Sequence, residues 1–437
     1  MDFKSYVEKL SDENRLVKIT KPVSIRYEIA ALMKKLDGKP VLFDNVEGHE
    51  MKVVGNVLSS MDLLTQSIGI KKEDWISTMI RAIENPGEVV ISSSNRFTYL
   101  EPDLDVLPIL THYLKDPAPY ITSDVILAQF GNRRNASVHR LQKLGKDRMV
   151  GRIVEGRDLH SMYMAAKEQN EELPIAITIG NKPSVLIAGS TTVSRDLYEL
   201  GIASALEGKP IEVVKGKTND IEYPIDTEIV LEGRIQPNET VKEGPFLDLT
   251  ETYDVVREQP IIVIDAIAVQ KNPIYQALLP GGNEHKLLMG QPRTPTVYKS
   301  LKDKNVDVKN IFLTPGGSGW LEIVVSIDKK SENDVTNAID AIINGHKSVK
   351  MVTIVDSDFD VTNPEEVAYA KTMYWKAGKQ HVFENVKGSS LDPMASPDGI
   401  GDKLIIDATR PLQVSEERKG KMERVRSHFE VDLEKYM

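Results

Sequence analysis

The hydrophobic pattern changes texture twice along the chain, and the changes mark three expected domains, at residues 1–110, 111–310 and 311–437. In the first, Ile29, Leu32, Met33 and Leu36 recur at helical spacing and form one apolar stripe. Strand-like runs follow at Val41, Leu42 and Phe43 and at Val53 and Val54, punctuated by Gly48 and Gly55. This alternation predicts a small α/β domain. The second stretch carries short apolar runs at 175–179, 185–188, 229–231 and 261–269, separated by turn signals such as Asn181-Lys182-Pro183 and Gln236-Pro237-Asn238. Read as closely spaced strands, they predict a barrel-like β domain, with helices near 159–167 and 197–206. In the third, a strand at 321–327, a helical stripe of Val335, Ala338, Ile339, Ile342 and Ile343 opened by Ser331 as N-cap, and a strand at 351–355 read as an α/β unit. The charged tail from about 414 to 437 sets Met422, Val425 and Phe429 on one helical side, so a terminal helix is expected that packs on a neighbouring subunit or on its own chain.

Composition narrows the chemistry. Cysteine is absent, which excludes disulfides, zinc–thiolate sites and cysteine nucleophiles. No apolar run reaches the roughly 18 residues of a membrane span, and the opening MDFKSYVEKL lacks a signal core, so a cytoplasmic protein without membrane insertion is expected. The net charge is -10 and no basic cluster dominates, which argues against nucleic acid as a partner. Familiar templates fail in turn. There is no G-x-S-x-G, no H-E-x-x-H, no phosphate-binding G-x-x-x-x-G-K and no G-x-G-x-x-G after an early strand. Asp356, Asp358 and Asp360 alternate as in a calcium loop, but Val361 and Val367 stand where a glycine and the last carboxylate belong.

Two segments stand out: Asn135 to Arg140, and Glu243-Gly244-Pro245-Phe246-Leu247-Asp248. Positions five apart on an unbroken strand face opposite ways, but Gly244 and Pro245 break it, so Glu243 and Asp248 can converge. Two carboxylates near an arginine make an acid/base device, although such clusters are more often structural. His285, Lys286 and Arg293 follow the turn Pro280-Gly281-Gly282; a solvated basic loop is the commoner reading, contact with an anionic substrate group the sharper one.

At these segments the chain resembles the UbiD family of prenylated-flavin decarboxylases. Asn135 to Arg140 is similar to that family's N-x-S-x-x-R, and Glu243 to Asp248 to its E-G-P-F-G followed by an acid. Glu199 through Gly208 to Pro210, Thr218-Asn219-Asp220 with Pro224, and Val355 to Asp360 continue the likeness in the family's order. The resemblance implies a split β-barrel flavin-binding domain in the middle of an α+β and α/β multidomain protein. It implies non-oxidative, reversible decarboxylation of an α,β-unsaturated acid with prenylated FMN, manganese or magnesium, and potassium as a further cation. A flavin prenyltransferase would supply the cofactor, and a homo-oligomer is expected. Carried over by position, Asn135 and Glu199 match metal ligands; Ser137, Val138, His139, Arg140, Arg152, Ile153, Val154, Arg157 and Asp158 match the cofactor lining; Arg140, Glu243 and Asp248 match the catalytic triad, with Asp248 as proton donor. Two positions depart. Asp158 stands where some members bind metal through histidine, with His160 two residues later, and Leu247 replaces a glycine. The lysine- and glutamate-rich surface and the R-D-L-H run at 157–160 look like the archaeal branch of isoprenoid biosynthesis acting on trans-anhydromevalonate 5-phosphate, for whose phosphate Arg293 or Lys286 could serve. An aromatic acid such as 4-hydroxybenzoate or its polyprenyl form is the alternative substrate, and a non-catalytic flavin-binding protein of the same fold the alternative class.

Overall fold

The computed structural model describes residues 1–396, 398–425, 431–432 and 435–436. The chain opens with helix Phe3–Asp12, whose Phe3, Tyr6, Val7 and Leu10 are buried along one stripe and whose N-cap Asp2 accepts from Ser5 N–H. The strands that follow build a four-stranded sheet in the order Val17–Ile19, Val41–Phe43, Lys52–Gly55, Ile274–Ala277. The predicted stripe becomes helix Glu28–Lys35, with Ile29 and Met33 buried and Leu36 at its C-cap.

The middle of the chain forms a nine-stranded sheet in which every pairing is antiparallel. Its spine is the pair Ile229–Glu243 and Arg257–Val269, 15 and 13 residues long. Strands Leu173–Ile179, Asp124–Phe130 and Arg133–Ser137 continue on one side; Arg148–Gly151, Leu141–Lys143 and Tyr120–Ile121 continue on the other. The expected boundary at residue 110 does not follow the sheets. Val89–Ile91 pairs with Ile211–Lys215 and Thr98–Leu100 with Arg257–Val269, while the late strand Ile274–Ala277 returns to Lys52–Gly55. Hydrogen-bond partners, which local texture does not reveal, decide where each strand belongs.

The C-terminal sheet runs Val308–Leu313, Glu322–Ile327, Met351–Asp356, Ile400–Asp407, Gln380–Lys387, with parallel pairings in its centre and antiparallel ones at both edges. Helix Asn333–Gly345 covers it with Val335, Ala338, Ile339 and Ile342 buried.

Three expectations are corrected here. The run at 185–188 is not a strand but part of helix Pro183–Gly189, all seven residues of which are buried. A short, wholly apolar segment has no periodicity to distinguish the two states, whereas Pro183 at the first turn was a helix signal. Ser331 is not the N-cap: helix Asn333–Gly345 starts after Glu332, and Ser331 Oγ instead accepts from Asn333 N–H at 3.2 Å. In the tail the α-helix among the described residues is Glu416–Met422; Val425 lies beyond it at 85% exposure, so it shares no helical face with Met422, and Phe429 lies outside the described residues. Tyr374 Oη donates to the Met422 carbonyl and Arg424 pairs with Glu366, so this segment packs on its own C-terminal unit.

Candidate active site

Arg140 follows strand Arg133–Ser137 and is 9% exposed, too buried to be left unpaired. Its guanidinium meets three carboxylates. Nε and Nη2 donate to the two oxygens of Glu243 at 3.0 Å each, Nη1 donates to Asp248 Oδ2 at 2.8 Å, and Nη2 also donates to Asp254 Oδ2 at 3.0 Å. The backbone explains the convergence. Strand Ile229–Glu243 ends at Glu243, Gly244 takes a φ of +93° that favours glycine, and Phe246–Leu247 then pairs antiparallel with Tyr253–Asp254. Phe246 lies opposite Asp254 in that ladder, so both face the same way: the Phe246 ring lies 4.7 Å from the Arg140 guanidinium carbon and Asp254 hydrogen-bonds it.

Glu243 is wholly buried behind the arginine and also accepts from Tyr120 Oη at 3.4 Å, whereas Asp248 keeps 19% of its side chain open. Burial alone would raise Asp254, but the hydrogen bond from Arg257 and the charge of Arg140 hold it below the usual carboxylate range. Three carboxylates face two guanidinium groups, so the cluster can take up one proton without leaving an arginine unpaired.

Arg140, Asp248 and Asp254 form part of the wall of a cavity of about 490 Å³. The central sheet supplies one side; Trp320, Ser348 and the 387–391 loop of the C-terminal unit supply another. Ser137, Val138, His139, Arg152, Ile153 and Val154 line it, as do Arg157 and Asp158 at the start of helix Asp158–Glu168. His285 also reaches it: Gly281 N–H donates to its Nδ1, and burial, with Arg140 and Lys286 nearby, depresses its pKa against the pull of Asp248. It therefore presents a neutral ring. Lys286 is not in the wall; it is 8% exposed and paired with Glu251 at 2.7 Å. The basic residues after Pro280 are thus not a solvated loop: His285 and Lys286 belong to helix Asn283–Gly290, which meets Leu58 on one side and Gly319 on the other, and Arg293 to the single turn Gln291–Arg293 that follows.

Asn135 and Glu199 meet on the same wall. Asn135 Nδ2 and Glu199 Oε1 are 3.0 Å apart, and Ala136 N–H donates to Glu199 Oε2 at 2.8 Å. Burial, with the Asp158 charge adding to it, pushes Glu199 up to about 7. Hydrogen-bond accounting bears on whether a cation fits. Burial holds His139 near 4, so its neutral ring donates from Nδ1 to the Arg152 carbonyl and accepts at Nε2 from Ser137 Oγ. Ser137 Oγ shares its proton between His139 Nε2 and Asn135 Oδ1, each at 2.8 Å, and Asn135 Nδ2–H donates to Glu199 Oε1. The amide oxygen of Asn135 and the carboxylate of Glu199, neighbours on the cavity wall, are oxygen donors of the kind that suits a hard cation. Among the described residues no group of three or more His, Cys, Asp or Glu side chains could hold a metal alone. Asp158 instead lies 3.4 Å from both Arg133 and Arg195.

Sequence reasoning therefore named residues that the fold brings together, and missed Asp254, Arg257 and Trp320. Asp124 was missed as well. It lines the cavity, is wholly buried with neither carboxylate oxygen hydrogen-bonded, and burial raises its pKa well above the ordinary value. Only the strand register, which sets Asp124 two residues from Ile126 and thus on the Ser137 face, reveals it.

Three family models match the chain: the N-terminal, Rift-related and C-terminal domains of 3-octaprenyl-4-hydroxybenzoate carboxy-lyase, over residues 7–83, 89–283 and 286–408. An anhydromevalonate phosphate decarboxylase of Methanosarcina mazei is 40% identical over 94% of this chain and 97% of its own; that of Methanothermobacter thermautotrophicus is 36% identical over 94% and 98%. Among solved structures, the UbiD-class enzyme HmfF from Pelotomaculum thermopropionicum in complex with FMN superposes with a TM-score of 0.95 at 34% identity, covering both chains fully. An evolved dimeric form of HmfF in complex with prFMN superposes at 0.89 and 32%, again covering both chains fully.

Proposed function

The chain belongs to the UbiD family of carboxy-lyases, and from that premise we propose that it removes CO2 from trans-anhydromevalonate 5-phosphate to give isopentenyl phosphate. The observation that carries this reading is the Arg140 cluster: an arginine fixed by a buried glutamate, with two further acids opening on one cavity. A merely structural ion pair needs neither the extra acids nor the cavity.

When bound, the prenylated flavin supplies the electron sink for the carbanion-like carbon. Its lining would be Ser137 to Arg140, Arg152 to Val154, Arg157 and Asp158, and Asn135 with Glu199 would hold a manganese or magnesium ion that offsets anionic charge there, with potassium as a second cation. Glu243 fixes two donors of Arg140 by a two-point bond, so the guanidinium cannot swing when the substrate arrives. With Asp248 and Asp254 taking one donor each, a single N–H on Nη1 is left to meet the substrate carboxylate, which is the group that leaves. Asp248 carries the proton: Leu249 N–H anchors its Oδ1 at 2.7 Å while Oδ2 sits at the arginine, ready to protonate the carbon that loses CO2. Asp254, charged and braced by Arg257 at 2.7 Å, keeps Arg140 paired while Asp248 changes state.

On the same reading the central antiparallel sheet is a split barrel that would hold the flavin, three domains divide near residues 110 and 310 with strands exchanged across the first boundary, a flavin prenyltransferase supplies the cofactor, and the enzyme works in the cytoplasm as a homo-oligomer. No helix among the described residues is long and apolar enough to cross a membrane. The test is turnover by enzyme reconstituted with prenylated flavin and manganese. Isopentenyl phosphate and CO2 are expected from trans-anhydromevalonate 5-phosphate, with 4-hydroxybenzoate left unchanged; turnover of the aromatic acid alone overturns the assignment.

A further inference from the structure

The cavity contains a second cationic feature that proton transfer does not use. Arg293 ends the single-turn helix Gln291–Arg293, directly after Asn283–Gly290, and lines the cavity. Its guanidinium carbon lies 4.7 Å from the Trp320 ring centroid. Trp320 is itself 8% exposed and tied at three points. Its Nε1 donates to Ser389 Oγ at 3.1 Å, its carbonyl accepts from His346 Nε2 at 2.8 Å, and the His346 ring meets it edge-on at 4.8 Å. Glycines bring the two supports together: a Cβ on Gly290 would stand 2.3 Å from the Gly319 carbonyl oxygen, and one on Gly319 would stand 2.2 Å from that of Lys286. The arginine is therefore held in a built seat.

What the seat lacks is an anion. Arg140, Arg152 and Arg257 each have a carboxylate partner, but no carboxylate among the described residues pairs with Arg293. Burial, and then the charge of nearby Arg157, bring its pKa down to about 10. A desolvated guanidinium beside a like charge is costly unless an anion completes it. Its planar fork matches two oxygens of a phosphate, and its stacking on an indole leaves that fork free to point into the cavity. The 387–391 loop with Ser389 and Ser390 lines the same end and offers hydroxyl donors.

We propose that Arg293, seated on Trp320, binds the phosphomonoester of the substrate and so selects a phosphorylated acid over an aromatic one. The inference rests on the decarboxylase reading and names the group that gives it substrate specificity. The same chemistry could come from the flavin's own phosphate, so the experiment separates the two sources. Isopentenyl phosphate is titrated into wild-type and Arg293→Gln holoenzyme by calorimetry, and KM and kcat are measured for trans-anhydromevalonate 5-phosphate. Flavin absorbance per protein and the melting temperature are recorded on the same samples. Arg293→Gln is expected to weaken isopentenyl phosphate and raise KM on the order of 100-fold, the loss of a charge-assisted bond pair. The change in kcat is a few-fold, flavin content stays equal, and Arg293→Lys recovers only part, because a point charge lacks the fork. Unchanged affinity, or flavin lost together with affinity, overturns the proposal, the second outcome assigning Arg293 to the cofactor. A wild-type enzyme that binds isopentenyl phosphate through Arg293 yet turns over no phosphorylated acid would instead overturn the decarboxylase reading alone.

Discussion

Glu284 shows how a single buried group sets the pH behaviour of this fold. Its Oε1 accepts from Leu58 N–H at 2.8 Å and its Oε2 has no partner. Burial, with the Asp37 charge adding to it, pushes its pKa from 4.5 to about 8 against the hydrogen bonds from the 56–58 backbone. The sign follows from proton counting. Between those two values the folded chain keeps a proton that the unfolded chain has released, so the contribution is fully present below 4.5 and is lost as pH rises through about 8. Glu284→Gln removes the titration and keeps the acceptor. Melting temperatures of cofactor-free protein between about pH 5 and about pH 9 are expected to fall for wild type and to fall less for the variant, by up to one proton's worth of slope. Parallel curves would contradict this. At the same scale, the Gly244-Pro245 break showed only that Glu243 and Asp248 could converge; the likeness to the family's motifs is what joined Arg140 to them. Asp254 was not legible, since only the hairpin register sets it opposite Phe246. Lys286 looked equal to Arg293 as a phosphate ligand, and its place outside the cavity wall and its bond to Glu251 remove it.

At the scale of elements, the position of the Arg293 seat depends on a backbone contact that no side-chain pattern records. Gly319 has φ +63° and its α-carbon faces the Lys286 carbonyl with no room for a methyl group. Gly319→Ala should therefore push helix Asn283–Gly290 off the turn that carries Trp320. A loss of roughly 1–3 kcal/mol in denaturant unfolding is expected, with a KM for the phosphorylated acid raised more than kcat is lowered. A variant with wild-type stability and KM would show that the contact is not needed. Periodicity recovered the amphipathic helices well, because Val335, Ala338, Ile339 and Ile342 all turn into one hydrophobic core. It failed for Pro183–Gly189, where apolar residues on every face leave length and flanking residues as the only guides.

For the whole molecule, the sequence pattern conveyed three textures but not how they interlock. Strand Ile274–Ala277 crosses back to the N-terminal sheet and Thr98–Leu100 crosses forward to the central one, so the two units share strands. The cavity is closed by C-terminal residues far along the chain from Arg140, which ties acid, arginine and anion seat into one enclosure. That arrangement makes the proton donor the most exacting point of the account. The direct measurement is CO2 release by Asp248→Asn holoenzyme, with flavin absorbance read in the same cuvette. The account predicts release at least about 100-fold slower than wild type, the usual contribution of a general acid, with the flavin fully retained. Release at the wild-type rate with flavin bound would contradict it.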